Sequence, residues 1–438
     1  MLHVRVNKLA ALFWVVLGLV LSESVLSSLF SPDRHLAPPN RLILLAFDGV
    51  MLFLGICAFL WRKSPRMAGL NVSLIAVFVC LAGIEGYLRV TRVDPVWAQR
   101  EIEKIRVPDP FLHHALVPNS SGVIWWVDRK VPYFVNSAGF RDARVRDVPP
   151  RTRSQARVVL LGDSFTEALG VPYEKSFACR LEALFREGGA DVEVLNAGVA
   201  AYCPRIYYRR LQKFLDEGFS TDIAIVMMDM TDAWDEAVFY SDNDFSDECA
   251  RQLQESRRKR VDVIVSEQQR DRTYYLVYPA LLIEVSRLLS GWGKDPWEWL
   301  NSYSDGAFAW TEDRHFDKPW VAVGLERCKL HLEHIKRLCD EHGIEMFLAV
   351  FPQPPQLSSP RRPSRQEVIF SEFAQENGIK MIDLYPGFRA LKDWRKAYIK
   401  WDNHFSPKGH EVVARQLHDE LVRSSGKLGV ASPARNSP

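Results

Sequence analysis

Several classes of protein are disfavoured by what this sequence has little of. Its 56 basic and 54 acidic residues nearly cancel, leaving a formal net charge of +2, so the charge balance does not indicate a nucleic-acid partner. Cysteine is scarce, at 7 of 438 residues, which is too few for a fold built on disulfides. Neither a Cys-x-x-Cys nor a His-Glu-x-x-His motif occurs, so we expect no metal site and no cofactor.

What the sequence does have is three long apolar stretches near its start, at Leu9–Phe30, Leu42–Trp61 and Ala68–Leu88. Each reaches the roughly 20 residues that a helix needs to cross a bilayer. The loops between them are short, and no small-residue cleavage signal follows the first stretch. We therefore expect a three-helix transmembrane region over residues 1–90 rather than a cleaved signal peptide.

Basic residues in the short loops predict how these helices cross the membrane. Arg5 and Lys8 precede the first stretch, and Arg62, Lys63 and Arg66 lie between the second and third. Such residues stay on the cytoplasmic side. We therefore expect a multi-pass protein of the inner or plasma membrane, with its N-terminus in the cytoplasm and residues 91–438 outside, facing envelope material.

Beyond a lead-in segment at 91–155, short apolar runs alternate with helical patterns. This alternation over residues 156–425 predicts an α/β domain with a parallel sheet covered on both faces. The predicted strands are 157–162, 192–196, 222–228, 344–351 and 379–384, and the predicted helices include 175–187, 205–217, 319–342 and 407–424. An insertion at about 235–318 interrupts the pattern, and we expect residues 426–438 to form a disordered tail.

Ser164 follows the first of these strands in a Gly-Asp-Ser turn, at the edge where parallel sheets bind ligands. Near the end of the domain, Asp402 and His404 precede a helix that Ser406 can cap. A serine hydroxyl becomes a strong nucleophile when a base accepts its proton and an acid fixes the tautomer of that base. Ser164, His404 and Asp402 supply these roles, which predicts a serine hydrolase or acyl transferase.

Simpler interpretations exist for each motif. Gly-Asp-Ser is common in turns, and a lone carboxylate before a helix can be a cap. A metal site of Asp402, His404 and His410 is a third alternative, although the two histidines lack the i, i+4 spacing of helical ligands. We interpret His410 as a packed or capping residue. No Gly-x-Ser-x-Gly surrounds Ser164, which disfavours an α/β-hydrolase elbow.

Three motifs resemble those of the SGNH (GDSL-type) hydrolases, in particular the membrane-anchored bacterial members. They are Gly162-Asp163-Ser164-Phe165-Thr166, the strand leading to Gly198, and Asp402-Asn403-His404. The resemblance implies a flavodoxin-like three-layer sandwich with a parallel sheet, preceded here by three transmembrane helices. It also implies that Ser164, Asp402 and His404 are catalytic, and that the N–H groups of Ser164 and Gly198 form part of an oxyanion hole.

One position departs from the family pattern. Where the family often has Gly-x-Asn-Asp after the third strand, this chain has Asp229-Met230-Thr231-Asp232. Thr231, with Asp232 beside it, stands in the place of the asparagine that donates to the oxyanion in the family. Either its hydroxyl donates instead, or another residue does, or the activity is weak or directed at an unusual substrate. A threonine hydroxyl donates in a different direction from an amide, and losing one oxyanion donor costs about 10²–10³ in rate.

A cluster of tryptophans marks the end of the insertion and the residues just after it. The cluster comprises Trp292, Trp297, Trp299, Trp310 and Trp320. Aromatic faces stack on sugar rings, so a carbohydrate-binding lid is one interpretation. The other is that these side chains pack the insertion onto the sheet.

These observations predict a membrane-anchored serine esterase or O-acyl transferase acting on O-acyl groups, above all acetyl groups, of envelope carbohydrate. The resemblance extends to relatives linked to polysaccharide acetylation, which makes a membrane acyltransferase a candidate partner. Two alternatives stay open. One is a non-catalytic glycan-binding or assembly protein with the same fold, and the other is a lipid esterase working at the membrane surface.

Overall fold

The structure, a computed structural model, divides into two compact units. The first comprises Met1–Val96 and Arg258–Lys294, and the second comprises Trp97–Arg257 and Asp295–Pro438. The residues that the structure describes are 1–22, 25, 38–91, 95–126, 129–149, 155–259, 285, 309–312, 314, 317–359, 362–400 and 402–428.

The first unit contains three long apolar helices, as the sequence predicts. They are α1 (Leu2–Val20), α2 (Pro38–Leu60) and α3 (Pro65–Thr91). Within them, Leu2–Val20, Leu42–Leu60 and Pro65–Leu88 are long and apolar enough to cross a membrane. The first helix begins at Leu2 rather than Leu9, and most of the stretch predicted beyond Val20 lies outside the described residues.

A buried polar network joins α1, α3 and the loop between α2 and α3. The side chain of Asn7 donates to the carbonyl of Ser64 at 3.0 Å, and Asn71 donates to Asn7 Oδ1 at 2.9 Å. The indole of Trp14 donates to Asn71 Oδ1 at 3.3 Å. Because all three side chains are almost fully buried, these bonds satisfy groups that would otherwise be costly between apolar helices.

The second unit is built on an eight-stranded sheet. Its parallel strands are β6 (Ala156–Leu161), β7 (Val192–Asn196), β8 (Ile223–Met228), β9 (Glu345–Val350) and β10 (Lys380–Asp383). Their spatial order is β10-β9-β8-β6-β7, which is the flavodoxin-like order of a doubly wound sheet. All five predicted strands are present, with ends that differ from the predicted ends by at most one residue.

Helices cover both faces of this sheet. Along β6, Val158 and Leu160 face one apolar core, whereas Val159 and Leu161 face the other, as the two-residue period of a strand requires. The three-layer α/β fold is therefore confirmed. The helices are α4 (Pro95–Ile105), α5 (Ser164–Glu167), α6 (Phe177–Glu187), α7 (Pro204–Asp216), α8 (Asp232–Trp234), α9 (Pro319–Glu341), α10 (Pro354–Ser358), α11 (Arg365–Glu376), α12 (Tyr385–Arg389) and α13 (Pro407–Ser424).

The lead-in segment does more than precede the domain, because its strands extend the same sheet. Strands β3 (Ser121–Trp126), β4 (Arg129–Val135) and β5 (Arg141–Asp142) continue the sheet antiparallel beyond β7. A separate antiparallel pair is formed by β1 (Arg106–Asp109) and β2 (His113–Leu116). The buried guanidinium of Arg141 donates to the carbonyl of Val171 at 2.7 Å, which ties β5 to the segment that follows the Ser164 turn.

Residues 426–428, which were expected to belong to the tail, have contacts with the second unit. The N–H of Gly426 donates to Glu345 at 3.4 Å, and Leu428 is buried in the core beside α13. These residues therefore belong to the folded unit. The predicted tail from 429 onward lies outside the described residues.

Candidate active site

Ser164 stands at the carboxyl end of β6, where the strand turns directly into the short helix α5. The carboxylate of Asp163 accepts the N–H of Phe165 at 2.9 Å and so caps this helix. A glycine is needed at 162, because a Cβ there would overlap the side chain of Thr166. The turn leaves the Ser164 side chain half-buried, in a position that a ligand can reach.

Asp402 and His404 lie on the loop before α13. Ser406 caps that helix by accepting the N–H groups of Lys408 and Gly409 at 3.2 and 3.4 Å. The N–H of Ile399 donates to the carbonyl of His404 at 2.9 Å. These bonds fix the backbone on both sides of the imidazole, and they make the loop a rigid support for a side chain that faces β6.

The structure brings the three predicted catalytic residues into one hydrogen-bonded chain. Ser164 Oγ lies 2.8 Å from His404 Nε2, and His404 Nδ1 lies 2.5 Å from Asp402 Oδ1. The same carboxylate oxygen accepts the backbone N–H of His404 at 2.7 Å. The geometry fits a hydroxyl that donates to Nε2 and an imidazole that donates from Nδ1, which is the tautomer that nucleophilic catalysis by serine requires.

Electrostatics keep Asp402 ionised. Burial acts to raise the pKa of its carboxyl, but the hydrogen bonds and charge of His404, together with a hydrogen bond from Trp126, outweigh burial and hold the pKa below its usual value. An ionised Asp402 can stabilise the imidazolium that forms when His404 takes the proton of Ser164.

Aromatic rings enclose the imidazole. Phe165 lies with its ring centroid 4.9 Å from that of His404, and Trp126 meets the imidazole edge-on at 5.1 Å. The indole N–H of Trp126 donates to Asp402 Oδ2 at 2.8 Å. Sequence reasoning missed Trp126, since nothing local connects a strand of the lead-in segment with a motif 276 residues away.

Gly198 packs directly against the Ser164 turn. A Cβ at this position would lie 2.6 Å from Thr166 Cβ and 2.7 Å from the nitrogen of Glu167, so a larger residue would displace the turn. The N–H of Gly198 donates to Asn196 Oδ1 at 3.1 Å. It must leave this acceptor, or share its hydrogen, to serve as the oxyanion donor that the resemblance implies.

Thr231 and Asp232 lie near this site but are already engaged. The hydroxyl of Thr231 donates its single hydrogen to Asp229 at 2.7 Å. Asp232 is buried and accepts the hydroxyl of Tyr207 and the N–H of Asp229, each at 2.8 Å. The expected donor role of Thr231 would require its bond to Asp229 to break, and Asp232 is not exposed to a substrate in this arrangement.

Sequence reasoning also missed Asp229, which organises this part of the site. Burial raises the pKa of its carboxyl and that of Asp163, and the charge of Asp229 adds to the effect on Asp163. Asp229 accepts hydrogen bonds from the N–H and hydroxyl of Thr231 and from the side chain of Gln353. Asn403 in turn donates to Gln353 at 3.0 Å, so a polar chain connects Asp229 and Thr231 with the Asp402-Asn403-His404 motif.

Other residues singled out in the sequence have structural roles in the described part of the chain. His410 Nδ1 accepts the N–H of Phe177 at 3.2 Å, and burial lowers the pKa of His410 to about 3. Trp310 is buried and donates to the carbonyl of Met230 at 3.3 Å, and Trp320 packs against the same core. These two tryptophans therefore fit the interpretation in which the side chains pack the domain rather than bind carbohydrate. Trp292, Trp297 and Trp299 lie outside the described residues.

The order of these parts decides the fold type. Ser164 follows the first parallel strand, Gly198 the second and Thr231 the third, while Asp402 and His404 precede the last helix, all on a sheet of flavodoxin-like order. The motifs thus follow the strands of a flavodoxin-like sheet in the same order as in the SGNH-type hydrolases that the sequence resembles. Ser164 stands at the end of β6, which lies between β7 and β8 where the strand order reverses, and this is the place where open parallel sheets bind ligands.

Comparisons with known proteins give similarities at the level of structure. No family model matches the sequence, and no curated protein matches it. Among solved structures, the chain is similar to a lipase/acylhydrolase from Enterococcus faecalis, with 14% identity and a TM-score of 0.35 over 61% of this chain and 95% of that one. It is also similar to Axe2, an acetylxylan esterase from Geobacillus stearothermophilus, with 12% identity and a TM-score of 0.34 over 62% and 96% of the two chains.

Proposed function

We propose that this protein is a membrane-anchored serine esterase or O-acyl transferase. The observation that supports this most directly is the hydrogen-bonded chain from Ser164 through His404 to Asp402, with links of 2.8 and 2.5 Å. Each link lies within hydrogen-bond reach, as a nucleophile, its base and the acid that orients the base require.

The proposed reaction has two halves that share one covalent intermediate. Ser164 attacks the acyl carbonyl while His404 accepts the hydroxyl proton, and His404 then protonates the departing alcohol to leave an acyl-serine. An acceptor hydroxyl next attacks the acyl-serine, with His404 as the base again. Water as acceptor gives hydrolysis, and a sugar hydroxyl gives transfer.

The oxyanion hole is the least complete part of the site. The N–H of Ser164 lies at the first position of a helix, where no intrahelical acceptor exists, so it can donate without first leaving another partner in the helix. Gly198 and Thr231 could each contribute after release from Asn196 and Asp229. Each such donor raises the rate about 10²–10³-fold, so substrate binding that frees these two donors would strongly increase turnover.

The substrate class follows from the proposed location. Three apolar helices and the basic residues of the N-terminus and second loop support a cytoplasmic N-terminus with the Ser164 site outside the cytoplasm. An esterase there would meet O-acylated envelope carbohydrate, and acetyl is the acyl group that we propose from the resemblance to relatives linked to polysaccharide acetylation. The N–H of Gly198 and the hydroxyl of Thr231 already donate to Asn196 and Asp229. This favours a second candidate, a non-catalytic glycan-binding or assembly protein.

A panel of esters would test the proposed function. The full chain in detergent would be offered an acetylated sugar, an aryl acetate and a lysolipid, beside Ser164→Ala as the matched control. We expect Ser164-dependent release of acetate from the first two, and transfer if an unacetylated sugar acceptor is added. Turnover of the lysolipid alone would instead make the protein a lipid esterase. Absence of Ser164-dependent turnover on all three would favour the non-catalytic candidate.

A further inference from the structure

We propose that Trp126 is a positioning residue for Asp402, so that the lead-in hairpin β3–β4 completes the active site. This inference rests on the proposed function, because it assigns Trp126 a role in the same Ser164–His404–Asp402 chain. Trp126 is the last residue of β3, in the segment that precedes the parallel sheet along the chain.

The two oxygens of Asp402 are held from different elements. Oδ1 accepts both the ring and the backbone N–H of His404, whereas Oδ2 accepts the indole N–H of Trp126 at 2.8 Å. A carboxylate held through one oxygen can still rotate about its last bond. Because the indole occupies the second oxygen, the plane of the carboxylate is fixed, and with it the direction in which His404 points.

The residues around Trp126 leave space for its indole ring. Gly170 has a φ of +81°, and a Cβ there would lie 2.7 Å from Cδ1 of Trp126 and 2.5 Å from Cδ1 of Ile399. A side chain at 170 would thus occupy the space that the indole uses. The ring also packs against Ala168, Val171 and Ile399, and it meets the imidazole of His404 edge-on with an interplanar angle of 87°.

The hairpin that supplies Trp126 is held by the sheet. Trp126 pairs with Arg129 and Trp125 with Lys130 across β3 and β4, and β4 joins β7 through β5. The indole therefore reaches Asp402 from a rigid strand rather than from a free loop. Trp125, its neighbour, points to the opposite face of the hairpin by strand alternation, and it provides a matched control.

The chemical consequence of losing the indole N–H is a change in the pKa of Asp402. A hydrogen bond to the charged form of a carboxyl lowers its pKa, so removal of the indole N–H should raise the pKa of Asp402. His404 supplies the charge effect that lowers the pKa of Asp402 most. A carboxylate that has lost the indole donor is more basic and stabilises the protonated base more strongly, so the acid limb of the pH profile, which reports protonation of the base, should move upward.

The test removes the indole N–H in two ways, once with a smaller ring and once with the shape of the ring kept. In the full chain, Trp126 is changed to Phe, and separately to the tryptophan isostere benzothienylalanine, which has sulfur in place of the N–H. Trp125→Phe is the control. With the ester that the wild type turns over best, we expect both Trp126 variants to lose about tenfold in kcat with KM unchanged, and the acid limb of the pH profile to move upward. The control should match the wild type.

A second readout separates this inference from the proposed function. The low-field proton NMR signal of the His404 Nδ1–H reports its bond to Asp402 whether or not the protein turns over an ester. We expect that signal to shift or broaden in both Trp126 variants and to stay unchanged in Trp125→Phe. If the folded benzothienylalanine variant keeps the wild-type kcat, pH profile and NMR signal, the proposed role of Trp126 is wrong. Loss of ester turnover in every protein, wild type included, would overturn the proposed function and leave the NMR comparison to decide on Trp126.

Discussion

Thr231 donates its hydroxyl hydrogen to Asp229 at 2.7 Å. If Thr231 replaced the asparagine of the family, this hydroxyl would serve the oxyanion, whereas the structure shows it closing the turn after β8, where Asp229 also accepts the Thr231 N–H at 2.7 Å. A side chain with a single donatable hydrogen cannot do both at once. The role of Thr231 therefore depends on whether substrate binding breaks this bond.

Thr231→Val distinguishes the two roles. If the hydroxyl stays with Asp229, the variant should lose about 1–2 kcal/mol of stability, because a buried acceptor loses one of its partners, and its kcat should fall less than tenfold. A fall of about 10² or more in kcat without loss of stability would show that the hydroxyl serves the oxyanion instead. Thr231→Ser retains the hydroxyl and should preserve both properties. Thermal unfolding and initial rates measure the two effects.

Gly198→Ala should disturb the Ser164 turn. Its new Cβ would meet Thr166 and the backbone of Glu167 at less than 3 Å, and such overpacking costs about 1–3 kcal/mol. We expect a lower unfolding temperature and a large loss of kcat, because Ser164 shifts away from His404. Gly188→Ala is the control, since a Cβ there meets its nearest neighbours at 3.4 and 3.5 Å and should leave the rate unchanged.

His410 should make the folded unit sensitive to acid. Burial lowers its folded pKa to about 3, whereas an exposed histidine titrates near about 6.5, so the unfolded chain binds a proton that the folded chain does not. Stability from this group is complete above about pH 6.5 and is lost as the pH falls toward about 3. Between these limits His410→Gln should flatten the pH dependence of unfolding by up to about 1.4 kcal/mol per pH unit. An unchanged slope in denaturant titrations at pH 5 and pH 6 would contradict this.

The membrane orientation can be tested with reporter fusions. A reporter after Pro438 should be active only outside the cytoplasm, and one inserted within residues 62–66 only inside, because the proposed topology places three crossings, one for each helix that is long and apolar enough to span a membrane, between the N-terminus and the second unit. Alkaline phosphatase and a fluorescent protein that folds only in the cytoplasm give opposite signals at each position. A cytoplasmic signal at Pro438 would remove the argument for an envelope substrate.

Local sequence patterns predicted the parallel strands well and the supporting contacts poorly. The run Val158–Leu161 is apolar at every position because both faces of β6 are buried, which is a strong local signal. The two residues of β5 carry no such signal, since its pairing depends on β4 and β7. Strands β3, β4 and β5 were therefore not predicted, although they belong to the same sheet as the parallel strands.

The site residues also differ in whether a local sequence signal marks them. Ser164, Asp402 and His404 could be proposed from short motifs, since each stands at a strand end or before a capped helix. Trp126 could not, because its bond to Asp402 joins residues 276 positions apart. The engagement of the Thr231 hydroxyl by Asp229 was also invisible in the motif, which shows residue types but not the direction of a hydroxyl.

Labelling by a fluorophosphonate probe tests the central claim most directly. The full chain in detergent is treated with the probe beside Ser164→Ala, His404→Ala and Asp402→Asn, each shown to be folded by its thermal unfolding. We expect labelling of the wild type, none of Ser164→Ala, and much slower labelling of the other two, because the hydroxyl loses its base or the base loses its correct tautomer. A folded wild-type protein that resists the probe, or a Ser164→Ala variant labelled as fast as the wild type, would contradict a nucleophilic Ser164.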